Sequence, residues 1–405
     1  MNLPSEPVKV EKPFSRTDML IYMGGITALA AVTVEVVLPA TGVVARHFGK
    51  PAASGALLVG VYFLAYGIGQ IFWGLYSDAF GRRRALLISL FGFSIASLAC
   101  ALAPSFELLL AARCAQGLMA GAPVIARAMV RDVSSGSEAA RVLTMLGAIL
   151  TMATLIAPVL GSGFLILFSW RAIFLALMAL SLVFLAYTYF VLDPNFGRNR
   201  PERFSLKFLR KSARYLLWNR RFVVPAATGG LVFGGYASLG AVGAITAENR
   251  YGISPGAFGT LFTIAALANT AGALLAGQLL KRISLRKVGN LSVAILSGSV
   301  VLHLTLNQLS PNLQVFWISV CLYVLVFGMI LPTSMASALE PAAEMPAFAA
   351  SLYGACTMIA GFLGALMASR LYDGDHSAIS YTMAFFGGGA VLVLILGRLL
   401  DRSGL

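Results

Sequence analysis

Apolar residues form long, nearly unbroken runs along this chain, and short polar stretches separate the runs. A run of about 17–25 apolar residues is long enough to cross the hydrocarbon core of a bilayer as a helix. The pattern therefore predicts an all-α membrane protein with twelve transmembrane helices. The predicted spans are Met19–Val43, Ala56–Leu75, Ala85–Leu102, Phe106–Val130, Val142–Phe168, Ala172–Val191, Phe222–Ala247, Phe258–Leu280, Leu291–Leu309, Val315–Ala338, Ala347–Leu371 and Ala378–Leu400.

The composition also indicates a membrane protein. Of the 405 residues, 59% are hydrophobic and 11% are charged, whereas about a quarter of the residues in a soluble domain are charged. The first sixteen residues are polar and the apolar run after them is too long for a signal peptide, so we expect this run to remain as span one. The four cysteines are scattered through apolar runs, and the sequence therefore suggests neither disulfides nor a metal site.

Lysine and arginine are distributed unevenly between the two sets of connecting segments. Twenty-three of the thirty basic residues fall in the termini and in the connections on one side, and five fall on the other side. Basic residues favour the cytoplasmic side of a membrane. We therefore expect both termini and the central loop in the cytoplasm, and we attribute the net charge of +14 to this asymmetry rather than to nucleic-acid binding.

The longest polar stretch divides the predicted spans six and six. It predicts an N-terminal half at residues 1–192, a basic linker at 193–221 and a C-terminal half at 222–405. The loop Gly74–Arg84 after span two is echoed by Gly277–Lys287 after span eight, as expected of two related halves that rock about a central site. Aromatic residues alternate with cations in the linker. This pattern is compatible with a helix that binds anionic lipid and with a simple connection between the halves.

Glu35 is the one acidic residue that lies deep inside a predicted span. A charge at this depth costs about 2.5–3.5 kcal/mol on insertion scales, so a functional role and a partner are expected. Arg113 and Arg127 are the two basic residues that cannot be assigned to a connection or a terminus, and the helix rise puts Arg113 at a depth similar to that of Glu35. We predict that Glu35 and Arg113 form the proton-coupling site, with a static ion pair as the alternative. Arg127 lies near the end of its span, where its side chain can reach the interface.

The loop after span two predicts a conformational latch. Gly74 permits close helix approach, Gly81 permits a positive φ, and Asp78 can pair with Arg82 or Arg83 near the helix ends. Contacts of this kind can break and form again when a protein changes conformation. The alternative is that these arginines serve only to set the topology.

Polar and aromatic residues within the spans are candidates for a substrate cavity, with ordinary helix packing as the alternative for each. Aromatic rings offer stacking area and attract cations. The candidates are Tyr62, Tyr66, Gln70, Gln116, Phe233, Tyr236, Phe262 and Tyr353. In span five, Pro158, Gly161 and Gly163 favour either a hinge or close packing. His303 is the one histidine within a predicted span. Its ring can serve as a packed side chain or as a proton relay, and the sequence leaves both roles as alternatives.

The loop Gly74–Arg84 resembles the signature loop of the major facilitator superfamily. The segment Val34–Ala40 resembles the acid-x-x-Leu-Pro-Ala segment of the Bcr/CflA group of twelve-span drug:proton antiporters, with Glu35 where that group usually has aspartate. Arg113–Asp132 and Ala157–Gly163 are similar to the motifs of that group in helices four and five. The resemblance is strong in the first half of the chain and fragmentary in the second. It implies the major facilitator fold, with twelve transmembrane helices in two six-helix halves.

The resemblance also implies proton-coupled efflux of small amphipathic compounds or drugs across a bacterial inner membrane by alternating access. An exporter of one antibiotic, siderophore or metabolite and a proton-coupled nutrient importer remain alternatives. The sequence has no paired catalytic groups, nucleotide-binding loop or cluster of metal ligands, so we expect neither an enzyme nor a cofactor. We expect a monomer whose partners are substrate, protons and membrane lipid.

Overall fold

The computed structural model describes residues 16–133, 136–193, 201, 204–309, 312–342 and 345–402, and these residues form helices joined by short connections. Twelve helical segments are long and apolar enough to cross a membrane, which confirms the predicted all-α fold. The helices are α1 Arg16–Glu35, α2 Thr41–His47, α3 Ala56–Phe80, α4 Arg82–Leu102, α5 Phe106–Leu118, α6 Ala122–Val133, α7 Gly136–Leu167, α8 Trp170–Val191, α9 Leu206–Leu217, α10 Arg220–Tyr251, α11 Pro255–Leu280, α12 Leu285–Leu309, α13 Leu313–Leu339, α14 Pro346–Leu371 and α15 Ser377–Arg402.

Helices α1 and α2 together form span 1, and α5 and α6 together form span 4. Helices α3 and α4 are spans 2 and 3, α7 and α8 are spans 5 and 6, and α10 to α15 are spans 7 to 12. Helix α9 is the linker helix. The end of the bundle that carries the linker helix and Gly81 is called the linker side, and the opposite end is called the far side.

Span 1 is not the continuous helix that the apolar pattern predicts. Helix α1 ends at Glu35, a 3₁₀ turn follows at Leu38–Ala40, and α2 then continues the span to His47. Pro39 lies inside the turn and has no N–H to donate, so regular α-helical hydrogen bonding stops here. The break places Glu35 at a helix end within the bundle.

Span 4 is also broken, between Leu118 and Ala122. The indole Nε1 of Trp73, from span 2, donates a hydrogen bond of 2.7 Å to the Leu118 carbonyl at this break. A Cβ on Gly121 would lie 2.5 Å from Cγ of Trp73, so only glycine lets the chain pass this ring. The side chain of one span therefore satisfies the backbone that the break in its neighbour releases.

The first six spans contact the last six through close helix approaches. Spans 2 and 11 meet on the far side, where Ser369 Oγ donates a hydrogen bond of 2.9 Å to the Ala53 carbonyl. They also meet on the linker side, where a Cβ on Gly74 would lie 2.9 Å from Ser351 Oγ. Small residues allow such approaches between membrane helices. The two sets of spans are therefore in contact at both ends of this helix pair.

The linker helix and the residues just before it contact both sets of spans. Its Leu209, Ala213 and Leu216 pack in an apolar cluster with residues of spans 7, 10 and 11. Just before it, the Phe204 ring lies 5.2 Å from the ring of Phe80 at the end of span 2. The segment from Phe204 to Leu209 thus connects the two sets of spans on the linker side.

Gly364→Ala is expected to destabilise the pair formed by spans 7 and 11. The new methyl group would clash with the Gly234 carbonyl oxygen, which belongs to a rigid helix, and overpacking of this kind costs about 1–3 kcal/mol. The measurement is the apparent melting temperature of the purified protein in nanodiscs. Gly388→Ala is the matched control, because a Cβ there would have no atom within 4 Å. Equal melting of the two variants would contradict the close packing of spans 7 and 11.

Candidate functional site

Glu35 lies at the contact between the first and the last six spans. Its side chain is buried, with an exposed fraction of 6% for the residue. The Tyr236 hydroxyl, from span 7, donates a hydrogen bond of 3.3 Å to Oε1, and Oε2 has no hydrogen-bond partner. An ionised carboxylate in this position would be a buried charge without a cation beside it.

Arg113 does not form an ion pair with Glu35 in this structure. Its Nε donates to the Leu58 carbonyl at 3.0 Å and its Nη1 donates to Gln116 Oε1 at 2.6 Å. The guanidinium also lies 4.5 Å from the ring centroid of Tyr62, within the range of a cation–π interaction. The prediction used only the depth of the two residues in the membrane. Depth does not show which face of its helix a residue occupies, so two residues at the same depth can point away from each other.

Spans 1 and 7 meet in a row of contacts that runs from Glu35 to the far side, here called the far-side seam. The seam consists of the pairs Glu35–Tyr236, Leu38–Gly240, Gly42–Ile245 and Arg46–Glu248. Its outer end is an ion pair of 3.0 Å between Arg46 and Glu248. Tyr236 lies about 18 Å from Glu248 along span 7, at 1.5 Å per residue. Glu35 is therefore the innermost residue of a continuous contact between the two halves of the chain.

An aromatic cluster surrounds the partner of Glu35. Tyr236 stacks on Phe327 with ring centroids 4.6 Å apart and an angle of 7° between the rings. Phe233 lies 5.9 Å from Phe327, and Phe262 lies 6.5 Å from Tyr236. Phe63, from span 2, contacts Phe233 edge to face at 5.3 Å. The cluster joins three of the predicted cavity residues, and it draws on both halves of the chain.

The remaining cavity candidates lie in other places. Tyr62 and Tyr66 stack on each other at 5.8 Å within the first half, and Arg127 lies close to Tyr66. Gln116 holds Arg113 and donates from Nε2 to Ser97 Oγ at 2.8 Å, so it belongs to a polar network inside the first half.

Gln70 and Tyr353 contact neighbouring helices. Gln70, from span 2, approaches span 11, and Tyr353, from span 11, contacts span 10. A Cβ on Gly354 of span 11 would clash with Gln70 Oε1. The Tyr353 hydroxyl shares a hydrogen bond of 2.6 Å with Ser334 Oγ. Both side chains therefore pack between neighbouring helices in this conformation.

The predicted motif of span 5 packs between spans 1 and 8. A Cβ on Gly161 would clash with the Val36 carbonyl oxygen, directly after Glu35. A Cβ on Gly259 of span 8 would clash with the Pro158 carbonyl oxygen. Gly163, by contrast, has open space around its Cβ position. Helix α7 continues through Pro158, so this motif provides close approach in the present conformation.

The loop after span 2 forms a compact ion-pair network. Arg82 is 5% exposed, and it pairs with Asp78 through Nη1 and with Asp132, at the end of span 4, through Nε at 2.8 Å. Arg83 donates from Nη2 to the Tyr189 carbonyl at the end of span 6, at 2.6 Å. Gly81 has φ 94°, as the sequence predicts. The network ties the linker-side ends of spans 2, 3, 4 and 6 together.

Sequence reasoning missed Phe63, Phe327 and the role of Asp132 as the partner of Arg82. Phe63 and Phe327 are two of twenty-six phenylalanines, most of them in apolar runs, and nothing in the local pattern distinguishes them. Asp132 did carry a signal, because it closes the apolar run of span 4 directly after a basic residue.

Comparison with known proteins agrees with the fold and confirms the predicted resemblance. The chain is 29% identical to the uncharacterized MFS-type transporter YdgK of Bacillus subtilis, over 85% of this chain and 87% of that protein. It is 27% identical to the bicyclomycin resistance protein homolog of Haemophilus influenzae, over 82% and 83% of the two chains, and 25% identical to multidrug resistance protein D of Escherichia coli, over 91% and 93%.

A solved structure and a family model complete the comparison. A bacterial homolog of the human lysosomal transporter Spinster, in an inward-facing and occupied conformation, superimposes with a TM-score of 0.71 over 96% of this chain and 97% of that chain, at 15% identity. The model of the Major Facilitator Superfamily matches residues 23–365. The chain therefore belongs to the Major Facilitator Superfamily of membrane transporters.

Proposed function

We propose that this protein exports small amphipathic compounds across the bacterial inner membrane in exchange for protons. The observation that carries the proposal is the position of Glu35, a buried carboxyl group whose one hydrogen-bond partner comes from the opposite half of the chain. The names of two relatives, a bicyclomycin resistance protein homolog and multidrug resistance protein D, support export of toxic compounds.

In the proposed cycle, Glu35 carries a proton while the far-side seam is closed. No cation neutralises the carboxyl in this conformation: among the described residues, Arg113 has other partners and Oε2 of Glu35 has none. An unpaired carboxylate buried here would be costly, and a proton removes that cost. A cationic substrate would remove the cost in the same way, so proton and substrate compete for Glu35.

The seam links this competition to access. Opening the far side separates span 1 from span 7, so Tyr236 leaves Glu35 and the carboxyl becomes accessible to that side. Closing the seam returns Glu35 to its buried position, which favours a neutralised carboxyl. Alternating access about a central site is the expected behaviour of two rocking halves.

The aromatic cluster is the proposed substrate-binding surface. Phe63, Phe233, Phe262 and Phe327 are each 7% exposed or less, so the rings pack on one another in this conformation. Separation of the halves would expose ring faces from both of them, and such faces accept planar apolar groups and attract cations. Amphipathic compounds with a cationic group suit a carboxylate beside this surface.

The linker side is the proposed cytoplasmic side, with both termini there. The support is the excess of lysine and arginine in the connections on that side. A single chain is the proposed transport unit, because Glu35, Tyr236 and the aromatic cluster lie between the two halves of one chain.

Glu35→Gln is expected to abolish proton-driven export and to leave substrate exchange partly intact. Glutamine keeps the shape and can still accept from Tyr236, but it neither binds nor releases a proton at cellular pH. The measurement is drug efflux from proteoliposomes with and without an imposed pH gradient, with a set of antibiotics and cationic dyes as substrates.

Glu107→Gln is the matched control for this experiment, because Glu107 is an exposed acid paired with Lys50 on the far side. It should transport as the unchanged protein does. Uphill transport by Glu35→Gln would exclude Glu35 as the proton carrier. Accumulation of the compounds in cells, rising with expression, would instead indicate an importer, and activity on one compound of the set would indicate a narrow exporter.

Arg82→Gln is expected to slow the transport cycle more than it weakens substrate binding. Arg82 is buried between Asp78 and Asp132, and its loss removes one ion pair from each of these two carboxylates. A barrier higher by about 1.4 kcal/mol corresponds to a tenfold lower maximal rate. Transport rates and equilibrium drug binding would be compared with those of Arg84→Gln, since Arg84 is exposed. Weaker binding at an unchanged maximal rate would contradict the proposed latch.

A further inference from the structure

Four buried residues in or next to spans 9 and 12 have side-chain polar atoms without hydrogen-bond partners. The atoms are Oγ of Ser299, both ring nitrogens of His303, Nε2 of His376 and Oγ of Ser380. They make up five of the nine such atoms among the residues that the structure describes. Each of the four residues is 1% exposed or less. Buried polar groups in native proteins nearly always have partners, so a group of this size requires an explanation.

Helix register brings these residues to one place. Leu296 of span 9 packs against Gly387 of span 12, with its Cδ1 3.5 Å from the position of a Cβ on that glycine. His303 follows Leu296 by seven residues and Ser380 precedes Gly387 by seven. Since the two helices run in opposite directions, both steps lead two turns towards the far side on the same helix face. Val300 Cγ2, also of span 9, lies 2.8 Å from the same Cβ position. His303 and Ser380 therefore lie at similar depths on the sides of spans 9 and 12 that approach each other.

The outer end of this group lies beside exposed residues on the far side of the protein. Ser380 donates its backbone N–H to the His376 carbonyl at 3.1 Å, so His376 lies one turn further out. The ring nitrogen Nδ1 of His376 lies 2.6 Å from Asp375 Oδ1, and Arg250 Nε lies 3.1 Å from the same oxygen. Partial burial opposes ionisation of Asp375, but the hydrogen bonds from His376 and the charges of His376 and Arg250 hold its pKa below the usual value.

The inner end of the group reaches span 7. The His303 ring lies 6.2 Å from the ring of Tyr323, edge to face. The Tyr323 hydroxyl donates to the Val232 carbonyl at 3.2 Å. Val232 precedes Tyr236 by one helical turn, so a change around His303 can be transmitted to the helix that carries the partner of Glu35.

We propose that His303, His376, Ser299 and Ser380 form a hydrated site that takes up a proton from the far side. The alternative is a dry, packed region without a function of its own. In such a region each of the five polar atoms would lose its hydration without gaining a hydrogen bond, which costs free energy. The Ser319 carbonyl lies close to the His303 ring without a hydrogen bond of normal geometry. An ordered water needs two to four polar partners, and this group supplies them.

Imidazole is the proton-accepting group of the site. In their far-side halves, spans 9, 10 and 12 contain no Asp, Glu, Lys or Arg. The entrance carries the charged groups Asp373, Asp375 and Arg250, and the Asp375 N–H donates to Asp373 Oδ1 at 3.1 Å. His376 Nδ1 lies 2.6 Å from the Asp375 carboxylate, which can accept a hydrogen bond from a proton on that nitrogen. A second proton on His303 would add a like charge close by, so the site holds one proton that water can pass between the two rings.

The chain contains three histidines, His47, His303 and His376, which makes the site directly observable. Protein labelled with ¹⁵N-histidine would be studied by NMR in lipid nanodiscs, in a His47→Gln background that leaves two imidazoles. No transport is required for this measurement, so its outcome is independent of the proposed export.

The pair of rings is expected to take up one proton between about pH 8 and about pH 5, and both rings should exchange their N–H protons with D₂O within minutes. His303→Phe keeps an aromatic ring beside Tyr323 and removes the second acceptor. It should move the His376 titration by on the order of half a pH unit or more. His303→Gln serves the same purpose if the phenylalanine variant does not fold.

Two results would overturn the proposal. Imidazoles that stay neutral across this pH range, or that fail to exchange with D₂O over hours, would show a dry and structural pair of rings. A His376 titration that is the same in both His303 variants and in the background protein would show that the two residues do not share a site.

Discussion

A carboxyl group buried between two helix bundles needs a partner, and in this protein the partner of Glu35 comes from the opposite bundle. The hydrogen bond from Tyr236 therefore exists only while spans 1 and 7 are in contact. The other pairs of the far-side seam extend this contact to the ion pair at the far side. The chemical state of one side chain and the contact between two halves of the molecule thus depend on each other.

The bilayer provides no hydrogen bonds, and this constraint explains several irregular features of the helices. Helix α1 ends at Glu35 and is followed by a turn that contains Pro39, while the Trp73 indole satisfies a carbonyl at the break in span 4. Arg113 obtains its partners from the Leu58 carbonyl and Gln116. Broken helices and buried polar groups occur where other spans of the protein, rather than lipid, surround them.

The number of spans, the basic loop and the importance of Glu35 could be predicted because each depends on local sequence. Long apolar runs indicate spans, and a glycine before three arginines indicates a tight turn between helices. The partner of Glu35 could not be predicted. Depth along a helix follows from residue counting, but the face of the helix that a residue occupies in the bundle depends on tertiary packing. Arg113 shares the depth of Glu35 and points into its own half, whereas Tyr236 is 201 positions away.

The two halves differ in charge, and the difference bears on how protonation and movement are coupled in the proposed cycle. Arg113 and Arg127 lie in span 4, and Arg113 retains one nitrogen, Nη2, without a partner. Glu35 likewise retains Oε2. Both residues belong to the first half and move with it, while Tyr236 and most of the aromatic cluster move with the second. Separation of the halves removes the neutral partner of Glu35 and leaves it with water, substrate and the positive field of its own half, all of which favour the ionised carboxylate. Closure reverses each of these changes, so a proton taken up from the far side is retained when span 7 returns, and in the proposed cycle it leaves when a cationic substrate replaces it, without any covalent step.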